Sequence, residues 1–249
     1  FNVGYDYNHD NLDVQRFVER NLRYWVEEYK MDGFRFDLSK GFTQNNTLGN
    51  VGAWNQFDQS RVNNWPRIRD VIYAYDDEVY LILEQLSDNP EEEELSDQGY
   101  MLWGKMTDPY NQSSMGYASN ADLTGINYQA RGWSSPNLVG YAESHDEERL
   151  MYKTLQFGNS NGDYNVTDLE TALSRQEAVA AFLYPQRGPK MLWQFGELGY
   201  DFSINYCIED GSIQEGCRTN PKPVRWDYQD VAARERLYKV SAALIKLKT

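Results

Sequence analysis

Three short stretches of this chain close on acids whose types and spacing could do chemistry. Gly33-Phe34-Arg35-Phe36-Asp37-Leu38-Ser39-Lys40 is an apolar, aromatic run ending in an arginine and an aspartate two residues apart. In a β-strand, residues i and i+2 share a face, so Arg35 and Asp37 are expected to point the same way from a strand end. A guanidinium beside a carboxylate keeps it ionised and oriented, as a nucleophilic carboxylate must be. Val79-Tyr80-Leu81-Ile82-Leu83-Glu84 is a second apolar run closing on a carboxylate, and Val139 to Asp146 is a third, closing on His145-Asp146. A structural Arg–Asp pair would explain the first run alone. Three acids at three buried strand ends are harder to explain as structure, because an acid at a dry strand end costs stability unless it is paired or used.

Two carboxyl groups in unlike environments make an acid–nucleophile pair. Glycosidases that retain configuration need such a pair, roughly 5–5.5 Å apart, flanking the scissile bond. In this reading Asp37 stays charged beside Arg35. Burial and the negative charge of Asp37 raise the pKa of Glu84, so that it can donate a proton.

The elements that must position these residues follow from periodicity. Val14, Phe17, Val18, Leu22, Trp25, Val26 and Tyr29 recur at three- and four-residue spacing and predict a helix over 12–30. Further helices are expected over 61–75, 169–184 and 227–248, and strands near Phe34, Leu81, Leu102, Tyr141 and Leu192, the last over 190–195. Residues 41–59 and 158–168 read as loops. Glu91 to Glu94, after Asn89-Pro90, read as a solvated helix start where acids favour the dipole. Strands alternating with helices over 249 residues predict one large α/β domain.

The motifs resemble the α-amylase family, glycoside hydrolase family 13. Gly33 to Lys40 matches its G-F-R-x-D-x-x-K strand, Leu83-Glu84-Gln85 its acid-bearing strand, and Ser144-His145-Asp146 its x-H-D. Asp6-Tyr7-Asn8, followed by Asp10-Asn11, resembles the family's D-L-N stretch. The resemblance implies a (β/α)8 TIM barrel of which this chain covers roughly strands four to eight. Residues 1–11 would be the end of an inserted domain B and 12–249 barrel βα units. It implies Asp37 as nucleophile, Glu84 as acid and then base, and Asp146 as the acid that holds sugar hydroxyls. Arg35 would fix Asp37, His145 would bond the sugar, and Lys40 would touch the leaving side, although Gly41 stands where the family often has histidine. The resemblance makes calcium a possible ligand of the parent protein, as in many relatives, with most ligands expected upstream and the Gly41 carbonyl the leading contributor here; this segment itself requires no cofactor. Phe1-Asn2-Val3 at the start predicts further sequence upstream, and the missing strands are expected there or on another chain. An open half-barrel would expose sheet edges and an apolar face, and alone should associate or fold poorly.

Composition agrees with a neutral glucan substrate. The net charge of −14 repels nucleic-acid phosphates. No run of eighteen apolar residues indicates a membrane span, and no glycine-rich phosphate loop is present. With 19 Tyr and 7 Trp, flat rings are available for sugar faces. Tyr7, Trp54, Trp103, Tyr110 and Trp133 are the candidates near loops or strand ends. His9 reads as a loop residue. Cys207 and Cys217 flank a loop and suggest a disulfide, which would imply an extracellular or periplasmic setting, with two free thiols as the alternative. The leading reading is hydrolysis of α-1,4-glucan. Glucan transfer or branching is the rival, carried by Ser144-His145-Asp146-Glu147, and a non-catalytic glucan-binding domain is a third.

Overall fold

The computed structural model describes residues 7–249. The expectations for residues 1–6, including Asp6 of the D-L-N-like stretch, lie outside the described residues. In chain order the elements are α1 (Leu12–Tyr29), β1 (Gly33–Phe36), α2 (Val51–Asn55), α3 (Gln59–Tyr73), β2 (Tyr80–Leu83), α4 (Asn89–Asp97), β3 (Met101–Lys105), α5 (Thr107–Met115), β4 (Leu138–Tyr141), α6 (Leu150–Phe157), β5 (Ser160–Asn161), β6 (Tyr164–Asn165), α7 (Leu169–Leu183) and α8 (Ala232–Lys248), joined by loops and 3-10 turns. They form two compact units: residues 7–103 with Tyr128–Val139, and Gly104–Asn127 with Gly140–Thr249.

In the first unit β1 runs parallel to β2 with Phe36 opposite Leu83, and β2 runs parallel to β3 with Leu83 opposite Leu102. The Leu102 amide donates to Asn137 O at 2.8 Å, which brings the start of β4 alongside β3 and gives the order β1-β2-β3-β4. Parallel neighbours require crossovers, and α3 and α4 fill the first two. Leu81, Leu83, Leu95, Leu102, Trp65 and Ile72 form a dry core beneath them. Gly33 permits the β1–β2 approach, since a Cβ there would sit 2.8 Å from Tyr80 O. Asn11 caps α1 through the Asp13 amide, and Lys30 ends it in a left-handed conformation. Asp58 caps α3 through the Ser60 and Arg61 amides.

In the second unit Met106, Tyr110, Ile126, Ala142, Leu150 and Leu183 share a core, and Leu173 on α7 clusters with Leu237 on α8. The Met106 amide donates to Tyr141 O at 3.0 Å, continuing the β3–β4 pairing.

Several expectations need correction. Residues 190–195 are not a strand: Lys190 makes a single parallel bridge to Gly140, and Phe195 at φ 57° then turns the chain into a 3-10 segment. The 41–59 loop contains α2, the 158–168 loop is a β5–β6 hairpin, and α6 was not anticipated. Tyr110 and Trp133 are core residues at 0% and 3% exposure, their polar tips bonded to Phe182 O and Asn89 Oδ1. The four-glutamate run does start a helix, but Glu91 and Glu92 are buried at 0% and 3% rather than solvated. Each is compensated by an ion pair, Glu91 to Arg61 and Glu92 to Arg131, both at 2.7 Å.

Candidate active site

The first unit brings Arg35, Asp37 and Glu84 together at the ends of β1 and β2. Register does this: the Glu84 amide donates to Phe36 O at 3.0 Å and Ser39 N–H donates back to Glu84 O at 3.1 Å. The Arg35 guanidinium then ion-pairs with both acids. One terminal nitrogen holds Asp37 Oδ1, and the other lies 2.8 Å from Glu84 Oε2. The Leu38 N–H donates to Glu84 Oε2 at 3.0 Å, and Leu38 itself is left-handed at φ 43°.

The two acids sit in unlike surroundings. The Asp37 side chain is 67% exposed and that of Glu84 only 9%. Burial pushes the Glu84 carboxyl above its ordinary value. The Leu38 amide and the Arg35 charge pull it back, and the nearby Asp37 pushes it up again. An exposed carboxylate beside a buried carboxyl of raised pKa is the division of labour that acid–nucleophile chemistry uses.

Beneath this pair lies a support that the sequence did not reveal. Ser39 Oγ donates to Gln85 Oε1 at 2.6 Å, and Gln85 donates to Glu91. Glu91 takes Arg61 bidentately at 2.9 and 2.7 Å and the Asp58 amide at 2.7 Å. Arg61 closes the circuit by donating to Lys40 O at 2.8 Å and to Trp54 O at 3.2 Å. The only sequence signal for it was Gln85 following Glu84. A run of four identical acids shows no periodicity that would single out Glu91.

Other expected contacts are placed as follows. Trp103 is 7% exposed, and its ring carries the Arg35 guanidinium 4.2 Å away. Lys40 is 8% exposed, with its ammonium on Asn55 Oδ1 at 2.7 Å and Leu86 O at 3.1 Å; burial lowers its pKa. Both side chains make these internal contacts, Lys40 just after β1 and Trp103 within β3. Trp54 is partly buried and donates Nε1–H to Lys40 O at 3.0 Å. Tyr7 is 57% exposed, its ring centroid 6.1 Å from that of Phe17. His9 stacks on Phe42 with centroids 4.0 Å apart. Gly41 O accepts the Thr43 amide at 2.8 Å, and among the described residues no cluster of three side-chain ligands surrounds it or any other point.

The second unit carries His145 and Asp146 on the loop between β4 and α6. Glu143, buried at the strand end, accepts the Leu150 amide at 2.6 Å and so closes that loop. Burial pushes its carboxyl up to about 7, against the pull of Arg149. Arg149 ties the loop internally through Ser144 O and through Glu147 O at 2.8 Å. His145 Nε2 lies 3.2 Å from one Asp146 oxygen, and Arg218 donates to the other at 3.1 Å. Sequence reading missed Glu143, Arg149 and Arg218. Arg218 is 72 residues from Asp146, so no local pattern could announce it. Cys207 and Cys217 form a disulfide, Cα atoms 5.3 Å apart, in the loop that carries Arg218.

No family model matches the chain. Among curated relatives, the 1,4-alpha-glucan-branching enzyme 2-2 of Arabidopsis thaliana is 29% identical over 166 residues, 61% of this chain and 20% of that protein. The 1,4-alpha-glucan-branching enzyme of Solanum tuberosum is 27% identical over 172 residues, 61% of this chain and 19% of that protein. The matched part thus spans about a fifth of these relatives' length. Among solved structures, a pullulanase from Anoxybacillus sp. LM18-11 complexed with maltotriose superposes with a TM-score of 0.64 at 16% identity, over 99% of this chain and 36% of that one. Eubacterium rectale Amy13B gives a TM-score of 0.65 at 13% identity, over 98% and 48%. These structures share the fold, a parallel sheet with helical crossovers consistent with part of a (β/α)8 barrel. Together with the branching-enzyme relatives, this likeness agrees with the resemblance of the sequence motifs to the α-amylase family, glycoside hydrolase family 13.

Proposed function

We propose that this chain supplies the carboxylates of a retaining enzyme that cleaves α-1,4-glucosidic bonds in starch or maltooligosaccharides by double displacement. In this reading the chain covers barrel strands four onward. Asp37 attacks the anomeric carbon and forms the glycosyl ester. Glu84 protonates the leaving oxygen and then deprotonates the incoming water. Asp146, with His145, holds the sugar's hydroxyls. The observation that carries the reading is the single Arg35 guanidinium shared by Asp37 and Glu84. A shared guanidinium keeps the two carboxyls close, which favours the shorter separation of retaining enzymes, roughly 5–5.5 Å, over the roughly 6.5–9.5 Å of inverting ones. The disulfide supports an extracellular or periplasmic setting.

Glucan transfer, with a sugar hydroxyl replacing water, is the second reading. The branching-enzyme relatives and the stretch Ser144-His145-Asp146-Glu147 favour it. Amylose digestion by the intact protein separates the two. Short reducing sugars support hydrolysis, new α-1,6 branches support transfer, and neither product removes both.

A further inference from the structure

Asp146 is held from outside its own loop. One Arg218 nitrogen donates both to Asp146 O at 2.7 Å and to Asp146 Oδ1 at 3.1 Å, fixing backbone and carboxylate together. Arg218 directly follows Cys217, whose disulfide to Cys207 closes a small loop. The loop's other bonds are mostly between near neighbours in the chain, such as the Cys207 amide to Ser212 O at 2.8 Å, the Gly211 amide to Cys207 O at 2.9 Å, the Cys217 amide to Gln214 O at 2.9 Å and Lys222 Nζ to Cys217 O at 2.6 Å, so the disulfide is its one covalent cross-link. Its base is anchored to the Asp146 loop at a second point, where Glu148 accepts Ser203 Oγ at 2.6 Å and the Ile204 amide at 2.8 Å. The two loops therefore meet at Glu148 and at Asp146. Only the Asp146 contact depends on where the disulfide puts Arg218.

We infer that Arg218 is a positioning residue for Asp146 and that the Cys207–Cys217 disulfide acts on the site through it. The inference rests on the proposed reading of Asp146 as the acid that holds the sugar. With Arg218 on one oxygen and His145 near the other, the carboxylate is fixed in one orientation before sugar arrives. With the disulfide opened, the segment bearing Arg218 loses its main covalent tie, and Asp146 loses its outer partner. The inference makes the site sensitive to reductants, although neither sulfur touches a reacting atom.

The test is a cycle in the intact protein assayed on maltooligosaccharide: wild type, R218A, R218K, the pair C207S/C217S, and R218A combined with that pair, with D146N as reference. R218A is expected to lower kcat/KM by about 10- to 100-fold, as small misplacements of a reacting group do. R218K should recover part of the loss. C207S/C217S should match R218A, and adding R218A to it should change little, because both act through one contact. Reductant should reproduce the loss in wild type but not in R218A, with circular dichroism confirming that the fold persists. Independent, multiplying losses, or R218A within twofold of wild type while D146N is inactive, would overturn the role of Arg218. If D146N keeps full activity, the reading of Asp146 fails and the inference falls with it. If the cysteine variants do not fold, R218A and R218K with the disulfide intact still decide the matter.

Discussion

The Leu38 amide donates to the Glu84 carboxylate at 3.0 Å. Leu38 follows Asp37 in the chain, so the turn that ends the first acid-bearing strand also grips the second acid. The left-handed conformation of Leu38 turns the chain that follows it into the Ser39–Gly41 turn.

On the proposed reading, Glu84 should set the basic limb of the pH profile. Its carboxyl lies above the ordinary 4.5 because burial outweighs the Leu38 and Arg35 contributions. A donor must be protonated, so kcat/KM should fall as pH rises through this raised value. The fall should come at higher pH than an exposed glutamate would give. E84Q should lower kcat by about 10²–10⁴-fold and abolish that limb. Initial rates across pH on maltooligosaccharide check this; a limb that persists in E84Q assigns the acid elsewhere.

Arg61 holds the floor of the site. It is 1% exposed, pairs with the fully buried Glu91, and ties Lys40 O, Trp54 O and Gln56 O. R61A leaves Glu91 buried without its cation and should cost about 3–5 kcal/mol in urea unfolding. A loss below about 1 kcal/mol would mean that the network is not needed for the fold.

Glu143 should make stability depend on pH. Its folded pKa of about 7 is above the ordinary 4.5, so between these values the folded state keeps a proton that the unfolded state has released. The stability from this group is full below 4.5 and is lost as pH rises to about 7, a change of roughly 3 kcal/mol. E143Q keeps an oxygen for the Leu150 amide but cannot ionise. Denaturation at pH 4.5 and 8 should show that E143Q flattens the slope by that amount, and an unchanged slope would mean that Glu143 does not titrate as described.

The sequence made the acids legible because each closes an apolar run and because strand periodicity fixes Arg35 and Asp37 on one face. The helices from Leu12 and Leu169 were legible from their apolar spacing. What escaped was long-range. Glu91 looked solvated because four consecutive glutamates give no hint of which face is buried. Arg218 reaches Asp146 across 72 residues, and the Trp103 ring lies against the Arg35 guanidinium. Residues 190–195 carried a strand-like apolar run, but the left-handed turn at Phe195 leaves only the Lys190 bridge.

The most direct test of the account is to trap the glycosyl ester. The intact protein, with E84Q to slow turnover, is incubated with a 5-fluoro-α-glucosyl fluoride, digested with trypsin and analysed by mass spectrometry. The account predicts one hexosyl adduct on the peptide Phe36-Asp37-Leu38-Ser39-Lys40, lost in D37N. An adduct on a different carboxylate, or an active protein that forms none and releases product of inverted configuration, would contradict it.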